Sequence, residues 1–241
     1  MKIFFMKILK YTFETLSGVS LEKKHIISSQ MNSFYILSMM YTLFLALSMI
    51  TSYRFFNFFD IATSATCIFF IGVCFVIANI VTENYDYIYT RRMTFFALLV
   101  IGIGFGILQL TNLLPTPQDK QIYTDSYNIV MKYEFTHVFL YNMIAAFLGL
   151  NITSFMLIFF KNRRYGLILR ILFADIIGEF IFTFTVILLI MLPIGEPIPT
   201  ILSMAIISFI SKLLFSLICS IIVVPLSSKL IPVIDKVNVG K

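Results

Sequence analysis

Six apolar runs dominate the chain: Ser33 to Tyr53, Phe58 to Val81, Met93 to Leu114, Thr136 to Phe160, Leu169 to Leu192, and Thr200 to Leu226. A helix that crosses the hydrocarbon core of a bilayer needs about 20 residues, so each run is predicted to span a membrane once. Turn, polar or charged residues fill the seams: Arg54 and Asn57, Glu83 to Arg92, Pro115 to Glu134, Lys161 to Arg164, and Pro193 to Pro199. The expected fold is all-α, a polytopic membrane protein with six transmembrane helices over residues 31–231. Residues 1–30 are basic but lack a compact apolar core followed by a small-residue cleavage site. They are expected to form a cytoplasmic or interfacial segment in place of a cleaved signal peptide. Residues 232–241 are expected to be a cytoplasmic tail.

Composition agrees. With 59% apolar and only 12% charged residues, and 27 Phe, there is too little polar surface to clothe a water-soluble globule. Charge then orients the bundle. With both termini inside, the inner side carries Lys2, Lys7, Lys10, Lys23, Lys24, Arg91, Arg92, Lys161, Arg163, Arg164, Arg170, Lys229, Lys236 and Lys241. The outer side then carries only Arg54, Lys120 and Lys132, so the positive-inside rule predicts N-in/C-in. The net charge of +6 falls to anionic headgroups, and no nucleic-acid partner is implied. Cys67, Cys74 and Cys219 lie in apolar runs without paired spacing and read as small apolar fillers.

Against this apolar background a few polar residues stand out. Asp175 and Glu179 lie four apart in the fifth run, hence on one helix face about 6 Å from each other along the axis. Ionisable groups inside a membrane are costly and turn toward the bundle interior or a wet cavity. Lys212 in the sixth run falls near the depth of Glu179 and is predicted to form a midplane ion pair with it. Asn79 and Glu83 share a face of the second run; His137, Asn142, Asn151, Thr153 and Ser154 line the fourth. Such a set of amides, carboxylates and one lysine suits a small polar ligand with several donors and acceptors, with aromatic rings available to stack on it. Two readings stay open: a working site, or a structural salt-bridge cluster joining helices five and six.

Several motifs carry nothing. GIGFG, Gly102 to Gly106, has no preceding strand and lies inside helix three, where small residues let helices approach. The sequon Asn151-Ile152-Thr153 is within a span. His137 has no second His or Cys at ligand spacing, so no metal is expected, nor any cofactor. An intramembrane serine protease would need a nucleophile and base that the chain does not arrange, and Asp175 has no counterpart for an aspartyl dyad. Transport or ligand binding is the expected activity class.

IANIVTENYDYIYTRR resembles the end of helix two in the queuosine precursor transporters, a vitamin uptake transporter-like family whose pattern is roughly T-D-x-x-x-E-x-Y-G with a later Arg. Glu83, Tyr85 and Arg91 or Arg92 fit; Asn79 stands at the family Asp and Asp86 at the family Gly. LRILFADIIGEFIFT is similar to the helix-five pattern, a leading Arg and then S-T-x-x-G-Q-x-x-D-T. Arg170, Gly178 and Thr183 fit, Glu179 stands at the usual Gln or Asn, and Phe182 at the usual Asp. GLNITS in helix four, and Lys212 followed by Pro225 in helix six, extend the likeness to Phe58 through Ile231. The resemblance implies a six-helix inner-membrane importer of 7-deazaguanine bases. Asn79, Glu83, Asn151, Asp175, Glu179 and Lys212 are then the expected substrate-binding residues. The alternatives are the substrate-binding subunit of an energy-coupling-factor vitamin importer and a non-transporting structural membrane protein. Partners are a deazapurine or vitamin-like solute and the lipid bilayer, and a homo-oligomer is left open.

Overall fold

The computed structural model describes residues 21–51, 55–58, 61–111 and 133–230, with residues 114, 121 and 125 between them. Among the described residues, six helices make the bundle: α1 (Leu21–Ile50), α2 (Ala65–Tyr85), α3 (Tyr87–Thr111), α4 (Tyr133–Asn162), α5 (Leu167–Met191) and α6 (Ile198–Leu230). The all-α polytopic architecture is as expected. Within the described residues, five helices are long and apolar enough to cross a membrane. The sixth, α2, has 21 residues and so reaches about 31 Å, close to a hydrocarbon core of about 30 Å.

Three boundaries differ from the sequence expectation. The second helix starts at Ala65, not Phe58, because Phe55–Phe58 (β1) and Ile61–Ser64 (β2) form an antiparallel hairpin, with Phe55 opposite Ser64 and Phe58 opposite Ile61. Aromatic and β-branched residues favour strands, and Asn57 and Asp60 are poor helix formers beside them. Residues 21–29, within the expected N-terminal segment, belong to a helix continuous with the first span. Residues 1–20 and 231–241, and most of the seam from Pro115, lie outside the described residues. Lastly, the expected loop from Glu83 to Arg92 contracts to a single non-helical residue, Asp86.

Asp86 turns the chain from α2 into α3 with φ +95°, the left-handed region that glycine tolerates best. This is the position where the resembled family carries Gly. Its Oδ1 accepts the Tyr87 N–H at 2.7 Å, a local bond that helps Asp replace glycine there.

α2 is the central helix. Cys74 through Thr82 are buried at every position, as befits a helix wrapped on all sides by its neighbours. α1, α3, α4, α5 and α6 instead keep an apolar outer face, with Met39, Phe96, Phe155, Phe180 and Ile222 among its exposed residues. In a bilayer that face meets lipid. The shallow outer grooves, such as one of about 960 Å³ between α1 and α3, are almost wholly apolar and belong to it.

α5 buries Ile171, Ala174, Asp175, Gly178, Glu179, Phe182, Thr183 and Val186, one helical stripe with two flanks. Gly178 sits on the flank against α4. A Cβ there would lie 2.8 Å from the Thr153 Cβ and 2.9 Å from the Gly149 carbonyl oxygen, closer than atoms pack. Gly149 is equally tight against Phe182, so the two backbones approach as only small residues allow. With α4 holding this flank, Asp175, Glu179 and Thr183 form the other, turned toward α2 and α6.

Candidate functional site: a polar seam among α2, α5 and α6

α6 answers α5 with its own four-residue repeat: Ser208, Lys212, Ser216 and Ser220, all buried. The helices run antiparallel, and two contacts fix their register. Lys212 Nζ donates to Thr183 Oγ1 at 3.2 Å. At the other end, Asn79 Nδ2 of α2 donates to Asp175 Oδ1 and Oδ2 at 2.9 and 3.1 Å and approaches Ser220 Oγ at 3.2 Å. Ser220 is thus level with Asp175, Lys212 with Thr183, and between them Ser216 with Glu179.

This register corrects the expected Glu179–Lys212 ion pair. Lys212 lies one turn farther along the seam and gives its hydrogen bond to Thr183; its ammonium also stands 4.9 Å above the Phe182 ring centroid. Depth counted from helix ends misses by a turn because α6 begins at Ile198, and its side chains lean along the axis. Glu179 is left with both carboxylate oxygens buried and without a hydrogen-bond partner. Ser216 is the hydroxyl beside it; the same Oγ lies 3.3 Å from the Leu213 carbonyl, and its rotor can turn to either acceptor. Lys212 remains close enough to act on the Glu179 charge.

The remaining expected residues separate. Glu83 lies at the charged end of the bundle, where Arg170 Nη2 reaches its Oε1 at 2.6 Å and Lys161 Nζ at 3.1 Å. Lys161 also donates to the Glu83 backbone carbonyl at 3.1 Å. Glu83 thereby ties together the ends of α2, α4 and α5, and the arginine it meets is Arg170; Arg91 and Arg92 are exposed. Asn151 donates to the Phe147 carbonyl of its own helix at 2.6 Å, and its Oδ1 is buried without a partner. In α4, Thr153 and Ser154 likewise bond back to Gly149 and Leu150. The structure therefore brings together Asn79, Asp175, Glu179 and Lys212, while Glu83 sits below them and Asn151 makes no bond to the group.

Sequence reasoning missed Ser216, Ser220 and the ring of Phe182. Their signal is the spacing of Ser208, Lys212, Ser216 and Ser220 in an otherwise apolar helix, the same period as Asp175, Glu179 and Thr183. Phe182 forms the apolar wall: its ring meets Phe75 edge to face at 6.2 Å and underlies Lys212.

A six-helix membrane bundle that keeps carboxylates, an amide, hydroxyls and a lysine buried in its interior is built as solute-handling membrane proteins are. Residues 64–226 match the family described as "Putative vitamin uptake transporter", which covers more than half of the chain. The chain belongs to this family. No curated protein and no solved structure matches it at a significant level.

Proposed function

We propose that the protein is a secondary transporter that imports a small planar nitrogenous solute, a 7-deazaguanine base, across the inner membrane. The observation that carries this reading is Glu179: a fully buried carboxylate with two unsatisfied acceptor oxygens, flanked by Lys212 and the Phe182 ring. Such oxygens accept a paired ring N–H and exocyclic amine, the donor edge of a deazaguanine, in charge-assisted bonds. Lys212 then turns its ammonium to the ring carbonyl, and Phe75 and Phe182 supply faces for the ring. Every role is hydrogen bonding or stacking, with no covalent step. Where the resembled family places Asp, Phe182 cradles the ammonium, and Glu179 one turn inward supplies the carboxylate. Family membership supports uptake as the class of activity.

Orientation is part of the same reading. Glu83, Lys161 and Arg170 gather at one end of the bundle, with Arg91, Arg92, Arg163 and Arg164 on the same helix ends, and this end is assigned to the cytoplasm. The test is complementation of a bacterial strain that lacks both synthesis and import of 7-deazaguanines. Expression of this chain should restore queuosine in transfer RNA. Failure with the protein demonstrably in the membrane, together with rescue of a vitamin-import mutant, would move the solute to the vitamin class.

A further inference from the structure

Among the described residues, Asp175, Glu179 and Lys212 are the charged side chains that are fully buried, at 0, 0 and 1% exposure. Ionised together, they leave the seam with one uncompensated negative charge in the membrane interior. The nearby charges do not cancel it. Glu83, Arg170 and Lys161 are paired with one another at the end of the bundle, where the Lys161 side chain is 38% exposed and water screens it. From α2 the seam receives the neutral Asn79, and from α4 the neutral Thr153, which bonds to Gly149.

A second observation has the same sign. The acceptors without partners in the seam are both Glu179 oxygens and Asn79 Oδ1, all buried. At the same levels stand the hydroxyl oxygens of Ser216 and Ser220 and the Asp175 carboxylate. Oxygen atoms from three helices thus line the seam, and its buried cation, Lys212, leaves one negative charge unbalanced. Hard monovalent cations take such ligands, and one added charge would make the seam neutral.

We propose that Asp175 and Glu179 together bind one monovalent cation, a proton or a sodium ion, whose binding is linked to that of the solute. The inference rests on the uptake reading for its role and deepens it. Glu179 is the shared group: its outer side faces Lys212 and the solute, its inner side Asp175 and the cation. A cation beside Asp175 removes the repulsion between the two carboxylates and leaves Glu179 free to accept the solute's donor edge. Each ligand therefore favours the other, and the linkage is reciprocal.

The test needs no solute, so its failure and the failure of the deazaguanine reading are separable. Thermal unfolding of the purified full chain in detergent is followed in sodium chloride and in choline chloride of equal ionic strength, at acidic and at alkaline pH. Binding to the folded state should raise the midpoint by several degrees. Stabilisation by sodium at alkaline pH identifies sodium as the cation; stabilisation only by acid identifies the proton. Asp175→Asn should abolish the response. Ser220→Ala, which removes one hydroxyl and leaves both carboxylates, should shift the response to higher cation concentration and keeps the test decisive if Asp175→Asn does not fold. A parent midpoint indifferent to both cations, or an unchanged response in both variants, would overturn the proposal.

Discussion

Asn79 is the residue on which the inner half of the seam depends, because its amide covers both oxygens of a fully buried carboxylate. Asn79→Asp should set two carboxylates face to face and destabilise the protein by about 1–3 kcal/mol, the usual cost of leaving a buried polar group unsatisfied or more when charged. Adding Asp175→Asn restores an amide–carboxylate pair with its members exchanged. The double variant should therefore recover most of the loss, measured by thermal unfolding in detergent; no recovery would mean that the pair does not set stability here. At this scale the sequence was informative about residue types and weak about partners. Asp175, Glu179 and Lys212 announce themselves because charge is scarce in apolar runs. Whether Lys212 meets Glu179 or Thr183 depends on a shift of one turn between helices, which no single helix encodes.

The position of α5 follows from its contact with α4. Gly178 and Thr153 interlock where the backbones come closest, and this contact rotates Asp175, Glu179 and Thr183 toward α2 and α6. Gly178→Ala should cost about 1–3 kcal/mol by overpacking. Thr153→Ala added to it removes the hydroxyl but keeps the Cβ only 2.8 Å from the new methyl, so it should return part of the loss and not all. Full tolerance of Gly178→Ala would show that α4 and α5 are farther apart. Helix number and apolar extent were legible because burial in lipid demands long uninterrupted runs. The hairpin ahead of α2 was not: Phe58 and Ile61–Ser64 run directly into the apolar helix that follows, and their cross-strand pairing distinguishes them. The single-residue turn at Asp86 was hidden by charges that suggest a loop, although Glu83 has its charge taken up by Arg170 and Lys161 within the bundle.

Across the whole molecule, the ends of α2, α4 and α5 that meet at Glu83 must lie on one side of the membrane. We propose, from the excess of Lys and Arg there, that it is the cytoplasmic side. A reporter fused after Arg163 should read as cytoplasmic and one after Asn128 as periplasmic; the opposite pattern would invert the orientation. On the proposed function, the solute binds in the seam among α2, α5 and α6, with Glu179 as its acceptor. Uptake of a labelled 7-deazaguanine into proteoliposomes that contain this chain alone, compared between the parent and Glu179→Gln, tests this. Losing a charge-assisted pair of hydrogen bonds costs about 1.5–3 kcal/mol, so the variant should fold and yet need roughly tenfold to a hundredfold more solute for the same rate. A folded Glu179→Gln protein that takes up the base as the parent does would contradict the account and leave the seam a brace between helices.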